Sequence, residues 1–175
     1  DKLYPQYLLN HPYHESRIIN LDKKGTTKPA AVDTALLPYI IASTKVLLKY
    51  LRSGLLEDEW LLRYERDSKD PVAAYGASLY YSLKGNFEKA IEIADKNPSP
   101  YRDLFLGEIY VAAHRFPEAV STLKYIRLPI GRYFLARAYE GMGNNNMAIR
   151  TFKELTSYAP AFPDIYYRLG MILGR

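Results

Sequence analysis

Two of the three histidines in the 175-residue chain, His11 and His14, lie within the stretch NHPYHESRI at 10–18. Histidine is the commonest metal ligand and a frequent general base, so this stretch is the first place to look for chemistry. The two histidines are three residues apart with Pro12 between them, which is a poor start for a helical metal pair. HESRI is not the zinc motif H-E-x-x-H either, because Ile18 stands in place of the second histidine. From the residue types alone, a solvated loop is the better interpretation.

The composition is that of a soluble folded protein, with 48% hydrophobic and 25% charged residues. The absence of cysteine excludes disulfides, cysteine zinc sites and thiol catalysis. The net charge is +5, but acids and bases interleave and only DKKGTTK at 22–28 forms a small basic cluster, so we expect no nucleic-acid partner. Pro38 interrupts the longest apolar stretch, and we expect no membrane span. The 17 tyrosines predict many half-buried aromatic positions, as in grooves and helical stacks.

The second half of the chain repeats itself. Each copy has a small residue, a tyrosine three residues later and an alanine twelve residues later. The copies are AAYGASLYYSLKGNFEKAIEIA at 73–94, LFLGEIYVAAHRFPEAVSTL at 104–123 and YFLARAYEGMGNNNMAIRTF at 133–152, and IYYRLGMILGR at 165–175 begins a fourth. This pattern resembles the tetratricopeptide repeat, a helix-turn-helix unit of about 34 residues. It predicts an all-α fold, an α-solenoid of tetratricopeptide-like helical hairpins.

The spacing of the copies predicts where the units are shortened. Their small residues are Ser78, Gly107, Ala136 and Gly170. These residues are 29, 29 and 34 apart, and they let each first helix lie close to the second helix of its hairpin. Since the usual unit has about 34 residues, we expect the second helices of the first two units to be short. Glycine and asparagine in KGN at 84–86 and GMGNNN at 141–146 predict hairpin turns, and His114 is interpreted as a turn residue too.

Upstream of the repeats, 33–53 and 55–68 show helical periodicity. Trp60, Leu61 and Tyr64 share one face of the second of these segments. The chain is therefore divided into an irregular or helical N-terminal segment at 1–28, a helical linker or degenerate repeat at 29–70, and about three and a half tetratricopeptide repeats at 71–175.

The N-terminal stretch YLLNHPYHESRIINL at 7–21 resembles the segment that closes the catalytic domain of the HtpX-like and CAAX-prenyl-protease-like zinc metalloendopeptidases. That segment usually reads L-x-T-H-P-x-x-x-x-R-I, and the matching residues are Leu8, His11, Pro12, Arg17 and Ile18. Asn10 stands where threonine is common. In the BepA-like subgroup a helical linker and a tetratricopeptide array follow, and YGASLYYSLKG at 75–85 resembles the start of that array. By this resemblance, 1–28 is the tail of a metalloprotease catalytic domain.

The resemblance implies that zinc is bound by the parent protein, with no cofactor in this chain. The chain lacks H-E-x-x-H and the downstream glutamate ligand, so it is not expected to be catalytic alone, and its status as an enzyme stays open. By the same resemblance, His11 reaches the zinc and plugs the site, and Arg17 anchors the segment to the missing catalytic domain. The alternative is a loop histidine and a surface arginine. The implied location is the periplasm or cell envelope, or the cytoplasm if the resemblance is wrong.

The first helices of such arrays line a concave surface that binds extended peptides or neighbouring domains. Their second, fifth and ninth positions usually face inward and predict a peptide-binding groove. The predicted groove residues are Tyr75, Leu79, Tyr101, Leu104, Glu108, Tyr133, Arg137, Tyr167 and Met171. The alternative for each tyrosine is that it packs against an adjacent helix.

Two functional hypotheses follow. The first is a protein-binding module that recruits clients to an envelope zinc metalloendopeptidase, or regulates their access to it, in protein quality control. The second is a free-standing tetratricopeptide scaffold for complex assembly, with no protease activity. Only residues 1–24 separate the two hypotheses, because the repeats serve both.

Overall fold

The computed structural model describes residues 59–158 and 163–174, together with Ala35 and Tyr39. Eight helices and no strand are found in this described part. They are α1 Glu59–Arg66, α2 Pro71–Leu83, α3 Phe87–Asp95, α4 Arg102–Ala112, α5 Phe116–Leu123, α6 Pro129–Gly141, α7 Asn145–Tyr158 and α8 Pro163–Leu173. The predicted all-α, tetratricopeptide-like array is confirmed. His11 and Arg17 lie outside the described residues, as does the whole predicted N-terminal segment at 1–28. Of the predicted linker at 29–70, the structure describes Ala35, Tyr39 and 59–70.

The helices pack as a series of hairpins. Helix α2 packs on α3, α4 on α5, and α6 on α7, while α1 and α8 extend the two ends by packing on α2 and α7. We call α2, α4, α6 and α8 the first helices. Because α2 contacts α4 and α4 contacts α6, the first helices form one side of the array, which we call the first-helix face.

The three hairpin turns share one backbone design. Each has a residue in the left-handed region, and these are Gly85 at φ 76°, His114 at φ 59° and Gly143 at φ 72°. The next residue donates its N–H to a tyrosine carbonyl five residues earlier, at 2.9 Å in all three hairpins. The turns predicted at 84–86 and 141–146 are confirmed, and so is the interpretation of His114 as a turn residue. Glycine adopts this conformation freely, whereas histidine does so at a cost.

The second helices differ in length as the spacing predicts. Helices α3 and α5 have 9 and 8 residues, whereas α7 has 14. The two shorter units therefore differ from the longer one mainly in the length of their second helices.

Small residues set how closely the helices approach one another. A Cβ added at Gly107 in α4 would lie 2.4 Å from Cγ of Leu123 in α5. One added at Gly76 in α2 would lie 2.7 Å from the buried ring of Trp60 in α1. The packing role predicted for Gly107 is thus confirmed, since only a residue without a Cβ permits this contact.

The start of α2 shows why these helices begin where they do. The side chain of Asp70 accepts hydrogen bonds from the backbone N–H groups of Val72 at 2.9 Å and Ala73 at 3.1 Å. Pro71 supplies a first helical residue whose missing N–H leaves no donor unsatisfied. Arg63 of α1 donates to Asp70 at 2.6 Å, which ties α1 to the start of the array.

In the part of the chain that the structure describes, no helix has both the length and the apolar composition of a membrane span.

Candidate protein-binding site

An open cleft of about 410 Å³ lies between the start of α4 and the connection that leads into α6. Its lining residues are Pro100, Tyr101, Leu104, Tyr125, Ile126, Arg127, Leu128 and Pro129. Most of these side chains are apolar or aromatic, and Tyr125 is 78% exposed. A concave apolar surface with a few polar groups is typical of a binding site.

The α5–α6 connection is held in place by local packing. Leu128 has extended backbone angles and Pro129 begins α6, so the chain enters the helix in a defined direction. A Cβ added at Gly131 would lie 2.3 Å from Cγ2 of Ile126 and 3.4 Å from Cδ1 of Leu104. Ile126 of the connection thus packs on α6, beside the place where Leu104 of α4 approaches the same helix.

Four aromatic rings cluster beside the cleft. The rings of Tyr75 in α2 and Phe105 in α4 are stacked, with centroids 4.0 Å apart. The ring of Tyr39 lies 6.1 Å from Tyr75 and 5.8 Å from Tyr101 in edge-on contacts, and 4.8 Å from Phe105. Aromatic pairs in such geometries contribute about 0.5–1.5 kcal/mol each beyond the area they bury. Tyr101 belongs to both the cluster and the cleft wall, so the two surfaces are continuous.

A buried hydrogen bond joins α2 to α4. The hydroxyl of Tyr75 donates to Oε2 of Glu108 at 2.8 Å, and both side chains are buried. Burial raises the pKa of Glu108 to about 7, and the bond from Tyr75 only partly opposes this. Glu108 therefore changes its charge near neutral pH.

A second tyrosine–carboxylate bond joins α6 to α8. The hydroxyl of Tyr133 donates to Oδ2 of Asp164 at 2.6 Å, and burial raises the pKa of Tyr133 to about 12. Arg168 donates to Asp164 at 2.7 Å and to Glu140 at 2.8 Å. Arg137 donates to the Tyr133 hydroxyl at 3.3 Å. This network positions α8 against α6 through charge-assisted bonds.

The nine predicted groove residues occupy different environments. Five of them are buried, namely Tyr75, Leu79, Leu104, Glu108 and Tyr133. Tyr101 and Arg137 are half-buried, and Tyr167 and Met171 are exposed on α8. The buried tyrosines thus have the packing role that the sequence left open as the alternative. The part that the nine residues play in client binding stays a prediction.

Several residues of the site were not predicted. Phe105 lies one position beyond the predicted Leu104, and Tyr39 lies far upstream of the repeats. Tyr125 and Ile126 lie in the shortened connection between two units. An aromatic residue in such a short connection was the sequence signal that could have indicated this part of the site. Among the described residues, no group of three or more His, Cys, Asp or Glu side chains could bind a metal ion.

Comparison with known proteins identifies the repeat. Residues 131–162 match the tetratricopeptide repeat family, and this range covers most of α6 and all of α7. No significant match was found among curated proteins or among solved structures. The chain therefore carries a tetratricopeptide repeat within an array of helical hairpins, an architecture that typically binds protein partners.

Proposed function

We propose that this protein binds segments of client proteins in the cleft between α4 and the α5–α6 connection. The observation that carries the proposal is the exposed ring of Tyr125 beside a largely apolar cleft. The half-buried side chains of Ile126 and Leu128 supply apolar surface that a client side chain can cover. The Tyr125 ring adds a rigid amphipathic surface, and the Arg127 guanidinium adds hydrogen-bond donors for client carbonyls.

The test is a substitution at Tyr125 with a matched control. Tyr125→Ser removes an exposed ring from the cleft, and Tyr166→Ser removes one that is 51% exposed on α8, outside the cleft. The probe is reduced, carboxymethylated α-lactalbumin, a soluble unfolded protein. We expect Tyr125→Ser to weaken binding by about tenfold, as aromatic anchors often do, and Tyr166→Ser to leave it unchanged. Equal affinities for the wild type and Tyr125→Ser would contradict the proposal.

We further propose that the module recruits clients to a zinc metalloendopeptidase of the cell envelope, or regulates their access to it, in protein quality control. Support comes from the resemblance of 7–21 to the end of such a catalytic domain. In this proposal the zinc belongs to the parent protein, His11 reaches it, and Arg17 contacts the catalytic domain. The described residues provide no metal-binding set, so no step of hydrolysis is assigned to them.

The residues encoded before Asp1 in the parent gene test this second proposal. We expect H-E-x-x-H and a downstream glutamate there, and location of the parent protein in the periplasmic fraction of cells. A native reading frame that starts at Asp1 would contradict the protease proposal and leave the free-standing scaffold.

A further inference from the structure

The ring of Tyr39 lies in a receptacle built by the first helices. Tyr39 is helical and only 7% exposed, and it is surrounded by Tyr75, Tyr101 and Phe105. It meets Tyr75 and Tyr101 at interplanar angles of 63° and 74°, which are edge-on contacts, and Phe105 at 40°. Since edge-on contacts need a ring, this receptacle selects an aromatic side chain over an aliphatic one.

The receptacle and its occupant come from different parts of the chain. Tyr75 and Phe105 belong to the repeats and stack on each other at 4.0 Å, so the floor of the receptacle is built by α2 and α4. Tyr39 lies upstream of every described helix of the array. Tyr101 also lines the cleft proposed for clients, so the receptacle adjoins that cleft.

We propose that this receptacle is the anchor subsite for a tyrosine or phenylalanine side chain of a bound client, and that Tyr39 fills it in the absence of a client. The inference rests on the proposed client-binding function and specifies the class of client, namely an extended segment with an aromatic residue. Entry of the client ring then requires displacement of Tyr39, which lowers the affinity of the wild-type chain for such a client. Tyr39 thus acts as an intramolecular competitor.

The test uses a copy of the natural occupant as a probe. A fluorescein-labelled peptide with the sequence of residues 33–45, DTALLPYIIASTK, is added to the full chain, and its anisotropy is measured. Tyr39→Leu keeps apolar volume but removes the ring, and Tyr39→Phe keeps the ring. We expect the probe to bind Tyr39→Leu about tenfold more tightly than it binds the wild type or Tyr39→Phe. A probe with alanine in place of its tyrosine should bind none of them tightly.

Equal binding of the probe to the wild type and Tyr39→Leu would overturn the inference, as would tight binding of the alanine probe. A second measurement needs no variant. Saturation of the wild-type chain with unlabelled probe should increase amide hydrogen exchange in the fragment that contains Tyr39, and unchanged exchange would also overturn the inference. The effect of Tyr125→Ser on binding of carboxymethylated α-lactalbumin, measured in parallel, tests the proposed function separately, because Tyr125 lines the cleft and not the receptacle.

Discussion

At the scale of single residues, two buried carboxylates on the first helices accept a hydrogen bond from a tyrosine of the preceding first helix. Tyr75 donates to Glu108, and Tyr133 donates to Asp164. Asp164 also accepts a bond from Arg168, and this ion pair stabilises its charge. Burial raises the pKa of Glu108 to about 7.

Glu108 makes the stability of the array depend on pH. Its pKa is about 7 in the folded chain against 4.5 for the free side chain. Because the folded pKa is the higher one, its contribution to stability is fully present below pH 4.5 and is lost as the pH rises through 7. The loss above neutrality is on the order of 3 kcal/mol. We expect Glu108→Gln to raise the free energy of unfolding at pH 8 but much less at pH 5, as measured by urea denaturation.

The exposed Asp103 on the same helix provides the control for this prediction. Asp103→Asn should give the same small change at both pH values. A Glu108→Gln effect that is independent of pH would show that the ionisation of Glu108 does not control stability.

His114 holds a backbone conformation that glycine holds in the other two hairpins. We expect His114→Gly to stabilise the chain by about 0.5–1 kcal/mol, because it removes the steric cost of positive φ. The lost edge-on contact between His114 and Phe116 offsets part of the gain. The thermal unfolding midpoint reports the change, and Gly143→Ala should lower it. A lower midpoint for His114→Gly would mean that the histidine contacts outweigh the backbone cost.

At the scale of helices, Gly107 and Gly170 occupy equivalent positions of two repeats but have different surroundings. Gly107 lies against Leu123 of α5, whereas no atom of the described residues lies within 4 Å of a Cβ added at Gly170 in α8. We expect Gly107→Ala to destabilise the chain by about 1–3 kcal/mol through overpacking. Gly170→Ala should be neutral or stabilise the helix by up to about 1 kcal/mol. Urea denaturation of both variants tests this, and equal effects would refute the predicted contact between α4 and α5.

The helices and turns could be predicted because they depend on local signals that recur. Glycine and asparagine mark the turns, and the 29-residue spacing predicts the short α3 and α5. The burial of Tyr133 and Glu108 could not be predicted, because the repeat pattern gives the side of a helix on which a residue lies and not what covers it. Tyr39 was missed for a related reason, since its contacts join segments far apart in the sequence.

At the scale of the whole molecule, the first-helix face combines three features. It has an open cleft, an aromatic receptacle that Tyr39 fills, and a last helix, α8, with exposed Tyr167 and Met171. The second helices fill the opposite side of each hairpin and include neither the cleft nor the receptacle. Client binding should therefore involve one side of the array and leave the other unchanged.

Amide hydrogen exchange with and without bound, carboxymethylated α-lactalbumin tests this central claim most directly. Binding should slow exchange at the start of α4 and in the connection at 124–129, and it should leave α3 and α7 unchanged. Protection confined to the second helices, with none at α4 or 124–129, would contradict the account.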